Sequence, residues 1–275
     1  MNMLITHTVA NGDIVTAYHD EGRGDVLLLL HGFTGSKLDF HDQIPWFADR
    51  YRVLALDQRG HGETTNVGRE DAYSMDILVD DLAGFLDRLD VERCHLLGHS
   101  MGGMVAMRFA LRHPGRLKSL ILMDTAAEPL TVFPPAVREQ LAKDVRANGC
   151  ASRIGMMKSM ERTDAQKRGI DFLGEAEHWR RIELKLDQMD PEAWVALADE
   201  ISNLPAALPQ LPAIETTTTI ICGEADVPFV EPSERMAKAI PNVRLVMIPL
   251  AAHSPQYENA QAWREAIDGH LARAL

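Results

Sequence analysis

Leu96-Leu97-Gly98-His99-Ser100-Met101-Gly102-Gly103 sets a serine between glycines where an apolar run gives way to a helical pattern. A serine at such a strand-to-helix turn takes a strained backbone conformation, and its hydroxyl stands clear of the sheet edge. The chemistry of that placement is nucleophilic attack on an acyl carbon. The five-residue G-x-S-x-G pattern recurs by chance in loops, and the strand before it and helix after it give it weight. An alcohol is barely ionised at neutral pH, so the serine needs a base and the base needs an orienting acid. His253, in Pro249-Leu250-Ala251-Ala252-His253-Ser254-Pro255, and Asp226, in Cys222-Gly223-Glu224-Ala225-Asp226, each follow a strand-like run. Both therefore fall at the same sheet edge as Ser100, in the chain order Ser, Asp, His that fits this turn. Glu224 and Asp124 are alternatives for the acid.

The carbonyl oxygen gains charge when attacked, so the reaction also needs donors. The backbone N–H of Met101 follows the nucleophile, and that of Phe33, in His31-Gly32-Phe33-Thr34-Gly35-Ser36, follows another apolar strand. These two amides are the expected oxyanion donors. His31, His61 and His99 are read as histidines that hold turns through hydrogen bonds. Asp57-Gln58-Arg59-Gly60-His61-Gly62 is rich in glycine but lacks both the dinucleotide-binding spacing and a phosphate-loop lysine.

The elements that must position these residues are legible as short β-branched or leucine-rich runs alternating with helical periods. That is the rhythm of a mostly parallel sheet with helices on both faces. Strands are expected near Leu4 to Val9, Ile14 to His19, Val26 to Leu30, Arg52 to Leu56, Cys94 to Leu97, Leu117 to Met123, Thr216 to Cys222 and Arg244 to Ile248. Asn11-Gly12 marks a hairpin between the first two. The Val26, Leu117 and Thr216 runs, nearly continuous in apolar or β-branched residues, are expected at the sheet centre. Ser74 is placed to cap a helix through Leu89, a second helix should run from Met101 to His113-Pro114-Gly115, and a last one from Ala260 to Ala274. From Pro129 to about Leu211 strand-like runs vanish and helical segments follow one another, so residues 129–211 read as a helical insertion dividing a core of 1–128 and 212–275.

Composition narrows the partners. The 275 residues are 46% hydrophobic, enough for a large core, and 28 Lys plus Arg stand against 40 Asp plus Glu, a net charge of −12. That balance disfavours nucleic acid and anionic membranes and leaves a small-molecule substrate. Cys94, Cys150 and Cys222 are odd in number without paired spacing, and the longest apolar run, Val26 to Leu30, is far too short to span a bilayer. A soluble cytoplasmic protein with reduced thiols is expected, as a monomer or homodimer.

With Ser100, Asp226, His253 and the His31-Gly32 loop together, the chain resembles the α/β-hydrolase superfamily, specifically its lid-bearing esterases, lactonases and C–C bond hydrolases. The resemblance runs from about Val26 to Leu275 and includes the Asp57 to Gly62 turn, with the insertion at the place of the family's helical cap. It implies an eight-stranded sheet, no cofactor and no metal, and hydrolysis of a carboxylic ester or lactone through an acyl-enzyme on Ser100. Ser100 itself argues against the related dehalogenases and epoxide hydrolases, which carry Asp there. C–C bond hydrolysis, pyruvate elimination as in a menaquinone-pathway synthase, and perhydrolysis remain alternatives, with a non-catalytic ligand receptor more remote. The synthase usually carries Arg where this chain has Met104, and the turn normally continues with Ser where this chain has Thr64. Phe33, Met101, Met156, Met160 and Trp179 are expected at the substrate pocket, with Met157 and Trp194 as further candidates. Arg153, Arg162, Arg168, Arg180 and Arg181 are available for a substrate carboxylate.

Overall fold

In the computed structural model, residues 4–131 and 134–274 are described. Eight strands form one sheet: β1 (His7–Asn11), β2 (Ile14–Gly22), β3 (Val26–Leu30), β4 (Arg52–Leu56), β5 (Cys94–His99), β6 (Leu117–Met123), β7 (Thr218–Gly223) and β8 (Val243–Ile248). Their order is β1-β2-β4-β3-β5-β6-β7-β8. The Asn11-Gly12 hairpin pairs β1 with β2 antiparallel, β2 pairs antiparallel with β4, and every later pairing is parallel. The expected strands thus recur with small shifts at their ends. The Thr216 run is the exception in place: it begins at Thr218 and lies seventh of eight. Its burial comes from helices on both faces rather than from a central position, because apolar continuity reports covered faces and not distance from the edge.

The helices are α1 (Ile44–Phe47), α2 (Met75–Arg88), α3 (Met101–Arg112), α4 (Pro135–Asn148), α5 (Ile154–Ser159), α6 (Asp164–Leu173), α7 (Glu175–Gln188), α8 (Pro191–Asn203), α9 (Val227–Ala239), α10 (Pro255–Glu258) and α11 (Ala260–Arg273). Strand periodicity sorts β3 between two cores. Leu28 and Leu30 face α2 and α3, including Leu82, Phe85, Val105 and Phe109, while Leu27 and Leu29 face Phe47 of α1 and Trp263, Ile267 and Leu271 of α11. Ser74 caps α2 by accepting from the Ile77 N–H at 3.2 Å. Helices α4 to α8 all lie between β6 and β7 in the chain. Ala193, Trp194, Leu197 and Ile201 of α8 join the core over β5 and β6. Among the described residues no helix is long and apolar enough to cross a membrane. The three cysteines are buried and unpaired.

Candidate active site

Because β3 has β4 on one side and β5 on the other, the chain reverses direction across the sheet between β3 and β5. In open parallel sheets that reversal leaves a crevice at the carboxyl ends of the strands. The loop after β3 and the turn after β5 both open into it. Ser100 has φ 52° and ψ −118°, a strained backbone for a residue with a side chain. The turn is held from beneath: the Ser100 N–H donates to the Met123 carbonyl at 2.9 Å, and the Thr125 hydroxyl donates to the Ser100 carbonyl at 2.6 Å. Gly102 has to be glycine, since a Cβ there would come within 2.6 Å of the Leu30 and His31 carbonyl oxygens.

The β3 loop lies directly against the serine. A Cβ at Gly32 would sit 3.0 Å from the Cβ of Ser100. Gly32 to Gly35 forms a turn closed by the Gly35 N–H on the Gly32 carbonyl at 3.0 Å, with Thr34 at φ 61°. His31 is fully buried beneath it. Its Nδ1 donates to the Gly32 carbonyl at 2.8 Å while Nε2 accepts from the Gln58 N–H at 3.0 Å. Burial pushes this imidazole down to about 4, so it stays neutral and matches one donor to one acceptor. His61 holds the next turn through the Arg59 carbonyl at 3.1 Å, and burial takes it down to about 3. Thr64 donates to the Asp57 carbonyl at 2.7 Å and accepts from the Ala17 N–H at 2.8 Å, which a serine hydroxyl would do equally.

His253 follows β8 and Asp226 follows β7. The His253 Nδ1–H donates to Asp226 Oδ2 at 2.8 Å, a direction fixed because an ionised carboxylate only accepts. Phe229 stacks on the His253 ring with centroids 4.8 Å apart and 29° between planes. On another side, His99 Nε2 donates to the His253 carbonyl at 2.7 Å, and burial drives His99 down to about 3. Glu258 in α10 accepts from the Ala252 and Ser254 N–H groups at 2.5 and 3.3 Å, fixing the loop on both sides of the histidine. The rival acids are placed elsewhere. Glu224 is exposed, and Asp124 is fully buried at the end of β6, accepting from the Gly223 N–H at 2.8 Å. Burial first, and the neighbouring Asp226 carboxylate second, push the Asp124 carboxyl well up.

Ser100, Asp226 and His253 line one cavity of about 590 Å³, between the strand ends and helices α5, α6 and α7. Phe33, Met157, Met160 and Trp179 line it as expected from the sequence. Met101 and Met156 are corrected. The Met101 side chain is buried under the sheet edge among core residues, because the first turn of α3 points it inward, and Met156 on short α5 is 47% exposed and outside the lining. Trp194 is buried beneath Phe33, with rings 5.7 Å apart, and Met104 is core.

Of the five arginines only Arg162 and Arg181 line the cavity. Arg181 pairs with Asp42 at 2.5 Å and Glu177 at 2.7 Å, and Arg162 lies over Trp179 at 5.1 Å. Arg168 donates to the Leu250 carbonyl, Arg180 pairs with Glu177 at the surface, and Arg153 lies over Trp194. The sequence reading missed Asp39, Lys185, Phe229 and Glu258. Asp39 had a signal: Ser36-Lys37-Leu38-Asp39 is a capping box, which the structure forms, and Asp39 then pairs with Lys185 of α7 at 2.6 Å. Phe229 and Glu258 had none beyond lying three and five residues from Asp226 and His253.

Comparison with known proteins gives a consistent kinship. A pimeloyl-[acyl-carrier protein] methyl ester esterase of Aeromonas hydrophila is 30% identical over 90% of this chain and 95% of its own. A Bacillus subtilis protein provisionally named 2-succinyl-6-hydroxy-2,4-cyclohexadiene-1-carboxylate synthase is 27% identical over 96% and 97%. The solved structure of a thermophilic esterase from Thermogutta terrifontis, with malate bound, superposes with a TM-score of 0.84 at 29% identity, covering 98% of this chain and 99% of that one. The family model for the alpha/beta hydrolase fold matches residues 25–260, and the chain belongs to that family.

Proposed function

We propose that this hydrolase-family enzyme is a cofactor-free serine hydrolase that cleaves a small carboxylic ester or lactone. The single observation that carries this reading is the contact of His253 Nδ1 with Asp226 at 2.8 Å on the wall of the cavity that the strained Ser100 also lines. With Nδ1 engaged, Nε2 is the nitrogen left to take the serine proton. Ser100 Oγ attacks the acyl carbon, and His253 receives the hydroxyl proton and passes it to the departing alkoxide. The resulting acyl-enzyme is hydrolysed by water activated by the same imidazole, returning Ser100 and releasing the acid. The N–H of Met101 opens α3, where no intrahelical partner exists, and that of Phe33 sits in the turn against Ser100. Both are assigned to the oxyanion.

Residues 129–211 are assigned as the cap and 1–128 with 212–275 as the catalytic core. Phe33, Met160 and Trp179, with Met157, are assigned to the substrate wall. Names of the Aeromonas and Thermogutta relatives favour ester cleavage. Elimination, as the Bacillus relative's name suggests, is less favoured, since buried Met104 stands where that chemistry usually has a carboxylate-binding Arg.

The test is hydrolysis of short-chain p-nitrophenyl esters by the protein and by Ser100→Ala. A fall in kcat of more than about a thousandfold is expected, with one phosphonate label per chain on Ser100 of the unaltered protein. Ester turnover undiminished in Ser100→Ala removes the serine as nucleophile.

A further inference from the structure

We propose that Phe229 is a positioning residue whose ring face stabilises the imidazolium that His253 becomes when it takes the serine proton; this rests on the triad assignment above. The geometry is specific. Asp226 is the N-cap residue of α9, and the Phe229 N–H donates to the Asp226 carbonyl at 2.8 Å, closing the first turn. One turn of backbone therefore supplies two grips on the same ring. Asp226 meets its edge at Nδ1, and Phe229 covers its face at 4.8 Å and 29°.

An aromatic face carries negative quadrupolar charge and attracts a cation within about 6 Å of its centroid, more strongly when water is excluded. Phe229 is half-buried against the main core, so its position is fixed by packing rather than by the histidine. It is not among the described residues lining the cavity, so its effect reaches substrate only through His253. Neutral imidazole gains little from that face, whereas imidazolium gains more. The interaction is thus larger in the transition state than in the resting enzyme, which is what raises kcat rather than binding. The other groups facing His253 are the Asp226 carboxylate from α9, His99 from β5 and Glu258 from α10. Burial keeps His99 neutral, and Glu258 is committed to backbone N–H groups of the base loop.

The experiment compares Phe229→Leu, which removes the ring face, with Phe229→Trp, which offers a stronger one. For Phe229→Leu, kcat on a p-nitrophenyl ester should fall about three- to tenfold with KM unchanged, and the acidic limb of the pH profile should move down by about half a unit. Phe229→Trp should move that limb the other way. The same shifts should appear when the His253 ring is titrated by NMR in a Ser100→Ala background, where no turnover is needed. That arm separates the two readings: absence of esterase activity leaves the ring titration to decide on Phe229. An unmoved His253 titration in both substitutions, or a Phe229→Leu defect confined to KM, overturns the proposal.

Discussion

At the scale of single residues, two carboxyls compete for one role, and their surroundings push them apart. Asp124 directly follows β6, and Asp226 lies three residues past the end of the neighbouring β7, at the N-cap of α9. Asp226 accepts from a histidine, while Asp124 is wholly enclosed beside it, and burial pushes its carboxyl well up. An amide at Asp124 would keep the acceptor that receives the Gly223 N–H and suits the positive φ of 43° at that position. Asp124→Asn is therefore expected to change kcat by less than about threefold, since burial already pushes this carboxyl toward its uncharged form and the amide keeps its acceptor. On the proposed triad, Asp226→Asn replaces the acceptor that orients His253 and favours the wrong tautomer, and should lower kcat by about ten-thousandfold. Steady-state kinetics of the pair checks both, and equal losses in the two would unseat Asp226 as the acid.

At the scale of elements, α7 is tied to the loop after β3 by charge as well as by packing. Glu177, Arg181 and Lys185 recur at four-residue spacing on one face, and the pairs Arg181 to Asp42 and Lys185 to Asp39 fasten that face to the core. Arg181 and Asp42 have side chains only 8% and 4% exposed, so removing one leaves the other's charge enclosed. Arg181→Met should cost about 3–5 kcal/mol in urea unfolding, whereas the double change Arg181→Met with Asp42→Leu should recover most of it. A single change as mild as a surface pair, below about 1 kcal/mol, would show that α7 is not held this way. The elements themselves were largely legible in the sequence, because apolar runs bounded by turns fix β3, β4 and β6 to the residue. The placement of Ser100, His253 and Asp226 at one sheet edge was legible for the same reason, each following a strand. What escaped was whatever depends on contact between distant segments. Lys185 and Asp39 are 146 residues apart, and no local period shows that they meet. Met101 and Met156 were placed at the pocket because residue type suggests a lining, while side-chain direction is set by the helix turn: Met101 points into the core from the start of α3, and of the neighbours Met156 and Met157 on α5 only Met157 faces the cavity.

For the molecule as a whole, the polar groups that folding desolvates, wholly or in part, set how it responds to acid. Burial lowers His31 to about 4 and His61, His99 and His270 to about 3, and it lowers His19, His41, His95 and His178 as well. In the unfolded chain these imidazoles titrate near 6.5. Above that value both states hold them neutral and their contribution to stability is complete. As pH falls from about 6.5 toward 3, the unfolded chain takes up protons that the folded one refuses, so stability declines. The carboxyls of half-buried Asp81 and of buried Asp124 and Glu258, raised by desolvation, act in the opposite sense, but three carboxyls stand against eight histidines. The net effect is loss on acidification, and the urea midpoint should drop steadily between about pH 7.5 and 5.5. His270 isolates one proton of that slope away from the site. Its Nδ1 and Nε2 engage the Thr219 and Ser119 hydroxyls at 2.8 and 2.7 Å, near the starts of β7 and β6, at the sheet edge opposite Ser100. His270→Gln keeps a donor and an acceptor but cannot titrate. It should reduce the pH dependence of unfolding by up to about 1.4 kcal/mol per pH unit while leaving kcat per folded molecule unchanged. A midpoint that holds constant or rises on acidification would mean that the desolvated histidines are not what limits stability, and an unaltered slope in His270→Gln would take this residue out of the account.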